Sequence, residues 1–283
     1  MKLIECPRDA MQGLKEFIPT ELKIEYINKL LKVGFDTIDF GSFVSPKAIP
    51  QMRDTIEVLS GLELSRSNSK LLAIVANVRG ANEASVFEEI SYLGFPLSLS
   101  ETFQQNNTNK SIAEAFEQIS EIQSICQRSG KTLVTYISMG FGNPYGDLYE
   151  TDFVAQFVSQ LEEKEISIIS LADTVGLSNP TNIQSLFKTI TAQFPKIEFG
   201  VHLHSDLDSS IEKIDAAYKS GCRRFDGALY GFGGCPMAKD ELVGNIATEK
   251  IVHYLNKFDH QLGIAFKALD DALNFAPQVF LQK

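Results

Sequence analysis

Two of the four histidines in this 283-residue chain, His202 and His204, stand one residue apart in the sequence VHLHSD. The β-rich run IEFGVHLH (197–204) that contains them predicts a strand. Side chains at positions i and i+2 leave the same face of a strand, so both imidazoles should point to one target. Two neutral ring nitrogens on one face suit a divalent metal ion, and a pair of packing histidines is the alternative.

Short β-rich runs alternate with segments of helical spacing from end to end of the chain. The predicted strands are KLIEC (2–6), DTIDFGS (36–42), KLLAIVA (70–76), FPLSLS (95–100), LVTYIS (133–138), SIISLA (167–172), IEFGVHLH (197–204) and RRFDGAL (223–229). The predicted helices lie at 22–34, 81–94, 111–130, 151–165, 182–194 and 209–221, with one more expected within 48–69. Several of these helices open on Ser, Thr or Asn and close on Gly, as helix caps prefer.

Repeated strand-and-helix units over about 250 residues predict an α/β fold, a (β/α)8 or TIM barrel. A doubly wound sheet would more often contain fewer strands. We expect residues 1–283 to form a single domain. The barrel would cover about 2–230, and a Gly-rich loop with additional C-terminal helices would cover about 231–283.

Polar residues gather where the predicted strands end, which is where TIM barrels carry their active sites. Asp9 follows the first strand, and closure of the barrel would bring it beside His202 and His204 on the seventh. Two imidazoles and a carboxylate form a facial N,N,O set that suits Mg²⁺ or Mn²⁺ better than a structural zinc. Asp173 would support this set without binding the metal. The other polar residues near strand ends are Arg8, Asp39, Ser100, Tyr136, Ser138 and Thr174.

Arg8 and Cys235 are two further candidates for chemistry. Arg8 beside Asp9 is either a surface ion pair or a fixed guanidinium that stabilises charge developing on a carbonyl oxygen in a reaction through an enolate. The spacing alone does not decide between these two roles. Cys235 lies in GFGGCPMA (231–238), directly after the last predicted strand. We expect this segment to act as a lid that carries a thiol, although most cysteines are inert.

The composition argues against several other classes of function. The formal net charge is -10 and no Lys/Arg stripe occurs, so nucleic-acid binding is not expected. No run of 18 or more apolar residues and no secretory leader is visible, so we expect a cytoplasmic protein without membrane contact. The four cysteines form no CxxC pair, which predicts free thiols rather than disulfides or a structural zinc.

Five motifs follow one another along the chain and resemble those of the 3-hydroxy-3-methylglutaryl-CoA (HMG-CoA) lyase family, which are metal-dependent TIM-barrel lyases. The resemblance runs from residue 2 to about residue 278. SFVSPKAIPQM and GGCP are its most specific parts. The motifs are PRDAMQ (7–12), SFVSPKAIPQM (42–52), HLHSD (202–206), GFGGCPMA (231–238) and GNIATE (244–249).

The resemblance implies a function for particular residues. The implied reaction is a retro-Claisen-type cleavage of HMG-CoA to acetyl-CoA and acetoacetate, with Asp9 or His202 as the base, Arg8 as the catalytic arginine and Cys235 on a catalytic loop. Asp39 stands in the place of the family's glutamate near Arg8. A homodimer and a place in leucine degradation are also implied. The implied metal ligands are Asp9, His202, His204 and Asn245, and the implied acyl-CoA contacts are Lys15, Ser100, Asn107, Tyr136, Ser138 and Thr174.

Some positions depart from the family's pattern. Ile4 replaces a glutamate, Asp39 replaces a longer one, and Gln104 and Gln105 replace a lysine pair. These departures leave two alternatives open. One is a lyase or aldolase for a related 3-hydroxyacyl-CoA or a 2-oxo acid, and the other is a weakly active homologue that binds an acyl-CoA.

Overall fold

The computed structural model describes residues 1–206, 208–234, 243–258 and 262–281. Its parallel strands close into one barrel in chain order, with the first strand paired to the second and the last. The strands are β1 (Lys2–Glu5), β2 (Thr37–Ser42), β3 (Lys70–Ile74), β4 (Ile90–Ser98), β5 (Thr132–Ser138), β6 (Ile168–Ala172), β7 (Glu198–His202) and β8 (Arg224–Gly227). The predicted TIM barrel is therefore confirmed.

Helices connect these strands and two more follow the last one. The helices are α1 (Pro7–Gln12), α2 (Thr20–Leu31), α3 (Thr55–Ser60), α4 (Val78–Ser85), α5 (Glu101–Thr108), α6 (Ile112–Arg128), α7 (Thr151–Glu163), α8 (Pro180–Gln193), α9 (Ser210–Lys219), α10 (Thr248–Asn256) and α11 (Phe266–Phe280). α10 and α11 are the additional C-terminal helices that the sequence predicts. Within the described residues, no helix is both long and apolar enough to span a bilayer.

Side-chain caps fix the start of two long helices, α6 and α8. Ser111 accepts a hydrogen bond from the backbone of Glu114 at 3.2 Å, and the Glu114 carboxylate accepts from the Ser111 backbone at 2.7 Å. Asn179 and Asn182 make the same reciprocal pair at the start of α8. Each pair satisfies backbone donors that have no partner within the helix.

The helix predicted at 81–94 is wrong in its second half. α4 ends at Ser85, and Ile90 begins β4, which pairs with β3 and β5. Ladder pairing on both edges outweighs the helix-like spacing of apolar residues in the run ISYLGF. Gly94 within this strand avoids a clash, because a Cβ there would lie 2.5 Å from Ile74 Cδ1.

Other elements differ from the prediction at their ends or in length. β7 ends at His202, so His204 lies beyond the strand, where it forms an isolated bridge with Asn245. The segment 48–69 contains the six-residue helix α3 between two short 3₁₀ turns rather than one long helix. α1 and α5 were not predicted, because each is short and begins within three residues of the end of a strand.

Two apolar layers hold the barrel together. Leu72, Tyr92, Val134, Tyr136 and Ile168 form a buried cluster from strands β3 to β6. A second, larger core lies between the strands and the surrounding helices. The C-terminal helix α11 joins this core through aromatic contacts: the ring of Tyr26 on α2 lies 6.4 Å from that of Phe275 and 5.6 Å from that of Phe280.

Candidate active site at the barrel mouth

The carboxyl ends of β1 and β7 bring three metal-binding side chains together. Asp9 lies on α1, which begins two residues after the end of β1, and His202 is the last residue of β7. His202 Nε2 lies 3.9 Å from Asp9 Oδ2 and 3.4 Å from His204 Nε2. One ligand atom from each of the three residues lies within 4.8 Å of the others. The predicted N,N,O set therefore exists as a cluster, although His204 is not part of the strand.

Burial and neighbouring charges set the pKa values of this cluster. Burial alone would raise the pKa of Asp9, but the Arg8 guanidinium and the two imidazoles lower it to about 2. Burial lowers the pKa of His204 to about 4. Burial also opposes the charge on His202, but a hydrogen bond to Asp226 and the charge of Asp9 raise the pKa of His202 above its usual value. At neutral pH Asp9 is thus a carboxylate and His204 a neutral imidazole, the forms that bind cations.

Arg8 is buried, being 7% exposed, so it is not part of a surface ion pair. Its Nε and Nη2 donate to Asp39 Oδ2 at 3.1 and 2.5 Å. Its Nη1 donates to Asp9 Oδ1 at 3.0 Å and to Gln12 Oε1 at 2.9 Å. The side chain of Asp39 therefore reaches the guanidinium despite being shorter than a glutamate. This network fixes a cation beside the cluster.

Burial and the neighbouring charges shift the pKa values of Asp39 and Arg8. Burial raises the pKa of Asp39 to about 6, even though Arg8 and its hydrogen bonds lower it. Burial also opposes the charge on Arg8, but Asp39 and Asp9 raise the pKa of the guanidinium well above its usual value. Above about pH 6 the Arg8–Asp39 pair is therefore ionic.

Asn245 and Asp173 support the cluster from two sides. Asn245 Nδ2 donates to Asp9 Oδ2 at 2.8 Å. Lys213 Nζ donates to Asp173 Oδ2 at 3.2 Å and to the His204 carbonyl at 2.7 Å. Asp173 thus acts on the backbone of His204 through Lys213, whereas Asn245 touches Asp9 directly.

A cavity of about 230 Å³ opens beside the cluster. Its polar lining comes from the ends of strands and the loops that follow them, as expected for a TIM-barrel active site. The polar lining residues are Arg8, Asp9, Gln12, Ser42, Asn107, Thr108, Tyr136, Ser138, Thr174, His202 and His204. The apolar ones are Val44, Ala48, Ile49, Ile74, Ala76, Pro96, Phe103 and Ala172.

Five of the described site residues do not line this cavity: Asn245 and Asp173, which support the cluster, and Asp39, Lys15 and Ser100. Asp39 lies beneath Arg8 and acts through it. The Lys15 side chain is exposed to solvent. Ser100 is fully buried and caps α5, because its Oγ accepts from the Phe103 backbone at 3.0 Å and donates to Asp147 at 2.5 Å.

The prediction for Cys235 lies outside the described residues, which stop at 234 and resume at 243. The other three cysteines, Cys6, Cys126 and Cys222, are buried free thiols.

Two contacts of the site were not predicted. Gln12 Nε2 donates to Asp9 Oδ1 at 2.8 Å, and its position one helical turn after Arg8 and Asp9 in PRDAMQ was an available signal. Asp226 Oδ2 lies 3.2 Å from His202 Nδ1. Asp226 lies inside the predicted strand 223–229, and the adjacency of strands seven and eight in a closed barrel could have indicated it.

The donors fit a divalent cation. His202 Nε2 and His204 Nε2 face each other across 3.4 Å, and a cation could accept both lone pairs. The nearby Asp9 adds a carboxylate oxygen. Nitrogen and oxygen ligands without a thiolate are those of Mg²⁺ or Mn²⁺ sites rather than of structural zinc sites.

Charged side chains from the ends of strands one, two and seven, gathered around one cavity, define a TIM-barrel enzyme. The chain belongs to the HMGL-like family, whose model matches residues 3–276.

Similar proteins cover nearly the whole chain. It is 34% identical over 271 residues to hydroxymethylglutaryl-CoA lyase YngG of Bacillus subtilis (strain 168). The aligned region covers 93% of this chain and 87% of that protein. It is 31% identical over 286 residues to the mitochondrial hydroxymethylglutaryl-CoA lyase of Mus musculus, which covers 100% and 86%. A similar solved structure is that of an HMG-CoA lyase from Acinetobacter baumannii in complex with coenzyme A and 3-methylmalate. Its sequence is 30% identical to this chain, and the two structures match with a TM-score of 0.91 over 100% of this chain and 92% of that one.

Proposed function

We propose that this protein is a divalent-metal-dependent carbon–carbon lyase that cleaves HMG-CoA to acetyl-CoA and acetoacetate. The observation that carries the proposal is the convergence of Asp9, His202 and His204 within 4.8 Å of one another, beside Arg8 at one cavity. Further support comes from similar proteins that are named as lyases of this substrate and from a similar structure that contains coenzyme A.

The cation would be held by Asp9, His202, His204 and Asn245, and we propose Mg²⁺ or Mn²⁺. Such a cation, when bound, lowers the pKa of a hydroxyl that coordinates it. Asp9, or His202 in a form whose Nε2 is not bound to the cation, accepts the proton of the substrate's tertiary hydroxyl. Lys213 and Asp173 keep the backbone of His204 in place during this transfer.

The carbon–carbon bond next to the carbinol carbon breaks as this proton leaves. The carbinol carbon becomes the ketone of acetoacetate, and the electron pair of the broken bond moves into the enolate of acetyl-CoA. Arg8 stabilises the negative charge on the thioester oxygen, and Asp39 holds Arg8 in place before the reaction begins. The enolate carbon then takes up a proton, and we propose that the Cys235 thiol helps to supply it.

The acyl group would occupy the cavity beside the cluster. We propose that Asn107, Tyr136, Ser138 and Thr174 contact it, since all four line the cavity. Lys15 and Ser100 lie away from the cavity, so any contact that they make is with a part of the acyl-CoA remote from the reaction.

Four wider features stay predictions. We propose that residues 1–283 act as a single domain and assemble as a homodimer. We also propose a cytoplasmic location and a role in leucine degradation.

The proposal is tested by measuring acetyl-CoA release from HMG-CoA by the purified protein with Mg²⁺ or Mn²⁺. We expect turnover near or above about 1 s⁻¹, an ordinary enzymatic rate. Related 3-hydroxyacyl-CoA thioesters and 4-hydroxy-2-oxo acids are assayed beside it. If one of these compounds is cleaved faster than HMG-CoA, that compound is the better substrate. If neither HMG-CoA nor any of them is cleaved, the protein is better explained as an acyl-CoA-binding homologue.

A further inference from the structure

Asp226 contacts the side of the His202 ring that faces away from the metal cluster. Asp226 lies on β8, in register with His202 on β7. Its Oδ2 is 3.2 Å from His202 Nδ1, whereas His202 Nε2 faces Asp9 and His204. Asp226 is 3% exposed, so bulk water does not compete for this contact.

A carboxylate only accepts hydrogen bonds, so its bond to the ring requires a proton on Nδ1. A neutral imidazole with its proton on Nδ1 carries its lone pair on Nε2, the nitrogen that faces the cluster. We propose that Asp226 is a positioning residue, which holds His202 in the Nδ1–H tautomer and so leaves Nε2 free to bind the cation. This inference rests on the metal site of the proposed function.

Arg224 is a buried cation whose charge interacts with that of Asp226. It lies two residues before Asp226 on the same strand and is 1% exposed. Gly200 on β7 makes room for it, because a Cβ there would lie 2.8 Å from Arg224 Cδ. Burial lowers the pKa of Arg224, and Asp226, first among its acidic neighbours, raises it above the usual value. The charge of Asp226 thus favours the charged form of the Arg224 guanidinium.

Both side chains carry buried hydrogen-bonding atoms without a hydrogen-bond partner among the described residues. Arg224 Nε and Nη2 and Asp226 Oδ1 are buried and have no hydrogen-bond partner within the described part of the chain. A guanidinium has only donors, so it favours an oxygen at the position of Oδ1. An amide in place of Asp226 would therefore turn its oxygen toward Arg224 and its NH₂ toward His202.

This orientation makes Asp226→Asn a sharp test. An NH₂ group donates to Nδ1, so the ring proton moves to Nε2 and the lone pair that would bind the cation is lost. The same change of an aspartate behind a catalytic histidine causes a wrong tautomer in serine proteases. Mutation of a carboxylate that orients a metal-binding histidine typically lowers metal affinity by about 10- to 100-fold.

Cys6 provides a matched control, because its thiol is another polar neighbour of His202 and Asp226. Ligand atoms of Cys6, His202 and Asp226 lie within 4.8 Å of one another. The thiol donates to the Ile4 carbonyl, with a distance of 3.9 Å from Sγ to the oxygen. Cys6→Ala removes this neighbour and leaves the Asp226 contact in place.

The experiment uses the metal-free protein labelled with ¹⁵N in its histidines. Long-range ¹H–¹⁵N spectra, recorded at a pH high enough that the His202 signal no longer changes, distinguish the two tautomers of the neutral ring. The His202 signal is assigned by its absence from the spectrum of His202→Asn. We expect Nδ1–H in the wild type and in Cys6→Ala, and Nε2–H in Asp226→Asn.

Calorimetric titration with Mn²⁺ provides the second readout. We expect Asp226→Asn to bind Mn²⁺ about 10- to 100-fold more weakly than the wild type, and Cys6→Ala to bind it equally well. Adding Arg224→Met to Asp226→Asn should restore part of the affinity, because the amide can then turn its oxygen toward His202.

Two results would overturn the proposal. An Nε2–H tautomer of His202 in the wild type contradicts it without any variant, so the test does not depend on a variant that folds. Wild-type tautomer and Mn²⁺ affinity in a folded Asp226→Asn also contradict it. Neither readout uses substrate, so a failure to cleave HMG-CoA would count against the proposed function and not against this inference.

Discussion

Two buried carboxylates, Asp9 at the mouth and Glu5 on the outer side of the barrel wall, have pKa values shifted in opposite directions. At the mouth, Asp9 is 8% exposed and its pKa is lowered to about 2 by Arg8 and the two imidazoles, against the effect of burial. On the outer side of β1, Glu5 is fully buried, and burial raises its pKa to about 8. Glu5 accepts hydrogen bonds from Thr248 Oγ1 at 2.6 Å and from the Leu229 backbone at 2.9 Å, and both donors are neutral.

The difference lies in the partner rather than in the degree of burial. A guanidinium beside a buried acid keeps the acid charged, whereas neutral donors compensate only part of the cost of burying the charge. The mouth therefore holds fixed charges that can act on a substrate. The contact at Glu5 instead joins β1 to the segment after β8 and to α10.

The largest effect is expected from removing a ligand at the mouth. His204→Ala should reduce HMG-CoA turnover to the background level and abolish tight Mn²⁺ binding, because the cation loses one of its two imidazole ligands. The circular dichroism spectrum should stay that of the wild type. His253→Ala on the exposed face of α10 is the matched control and should retain full turnover. Turnover by His204→Ala equal to that of the control would rule out His204 as a ligand.

The next largest effect is expected from removing the fixed cation. Arg8→Gln should lower kcat by about 10²- to 10³-fold, as expected for loss of a preorganised group that stabilises an oxyanion. It also leaves Asp39 without its buried partner, so we expect a loss of about 3–5 kcal/mol in the free energy of unfolding. Steady-state kinetics and urea unfolding measure the two effects. An unchanged kcat would show that Arg8 has only a structural role.

A smaller effect is expected when Arg8 keeps its charge and loses its main orienting partner. Asp39→Asn should lower kcat by about 10- to 100-fold, because Asp9 and Gln12 still hold Nη1 of Arg8. KM should change less than kcat, since Asp39 does not line the cavity. Asp152→Asn on the exposed start of α7 is the control for loss of one acidic charge. A kcat equal to that of the control would contradict the orienting role.

The smallest effect is expected at Glu5 and concerns stability. Between its ordinary pKa of 4.5 and its raised pKa of about 8, the folded state holds a proton that the unfolded state has released. Stability contributed by Glu5 therefore falls as pH rises through this interval. Glu5→Gln removes this loss: its amide oxygen can accept from the Leu229 backbone, and its NH₂ can donate to Thr248 Oγ1. The urea midpoint of the variant should therefore rise relative to that of the wild type between pH 4.5 and about pH 8. A constant difference between the two midpoints would contradict the raised pKa.

The architecture could be predicted because it depends on periodic patterns. Alternating strand and helix runs are visible in the sequence, and the motif order matched the family that the structure and similar proteins support. β4 was placed too late because the spacing in 81–94 also suits a helix, and only pairing with β3 and β5 decides the outcome.

The candidate site was predictable where ligands lie at strand ends and less so where they depend on three-dimensional contacts. Asp9, His202 and His204 were found from residue type and position alone. Asp226 was missed, because its importance comes from its register with His202 across two strands. Ser100 has a polar side chain at the right place in the sequence, but it caps α5 instead of facing the cavity.

The most direct test of a metal-dependent lyase at the barrel mouth is the turnover of HMG-CoA by chelator-treated wild-type protein, before and after addition of Mn²⁺. We predict that acetyl-CoA release stops after treatment with EDTA and returns when Mn²⁺ is added in excess. Turnover that continues undiminished in EDTA would contradict the account.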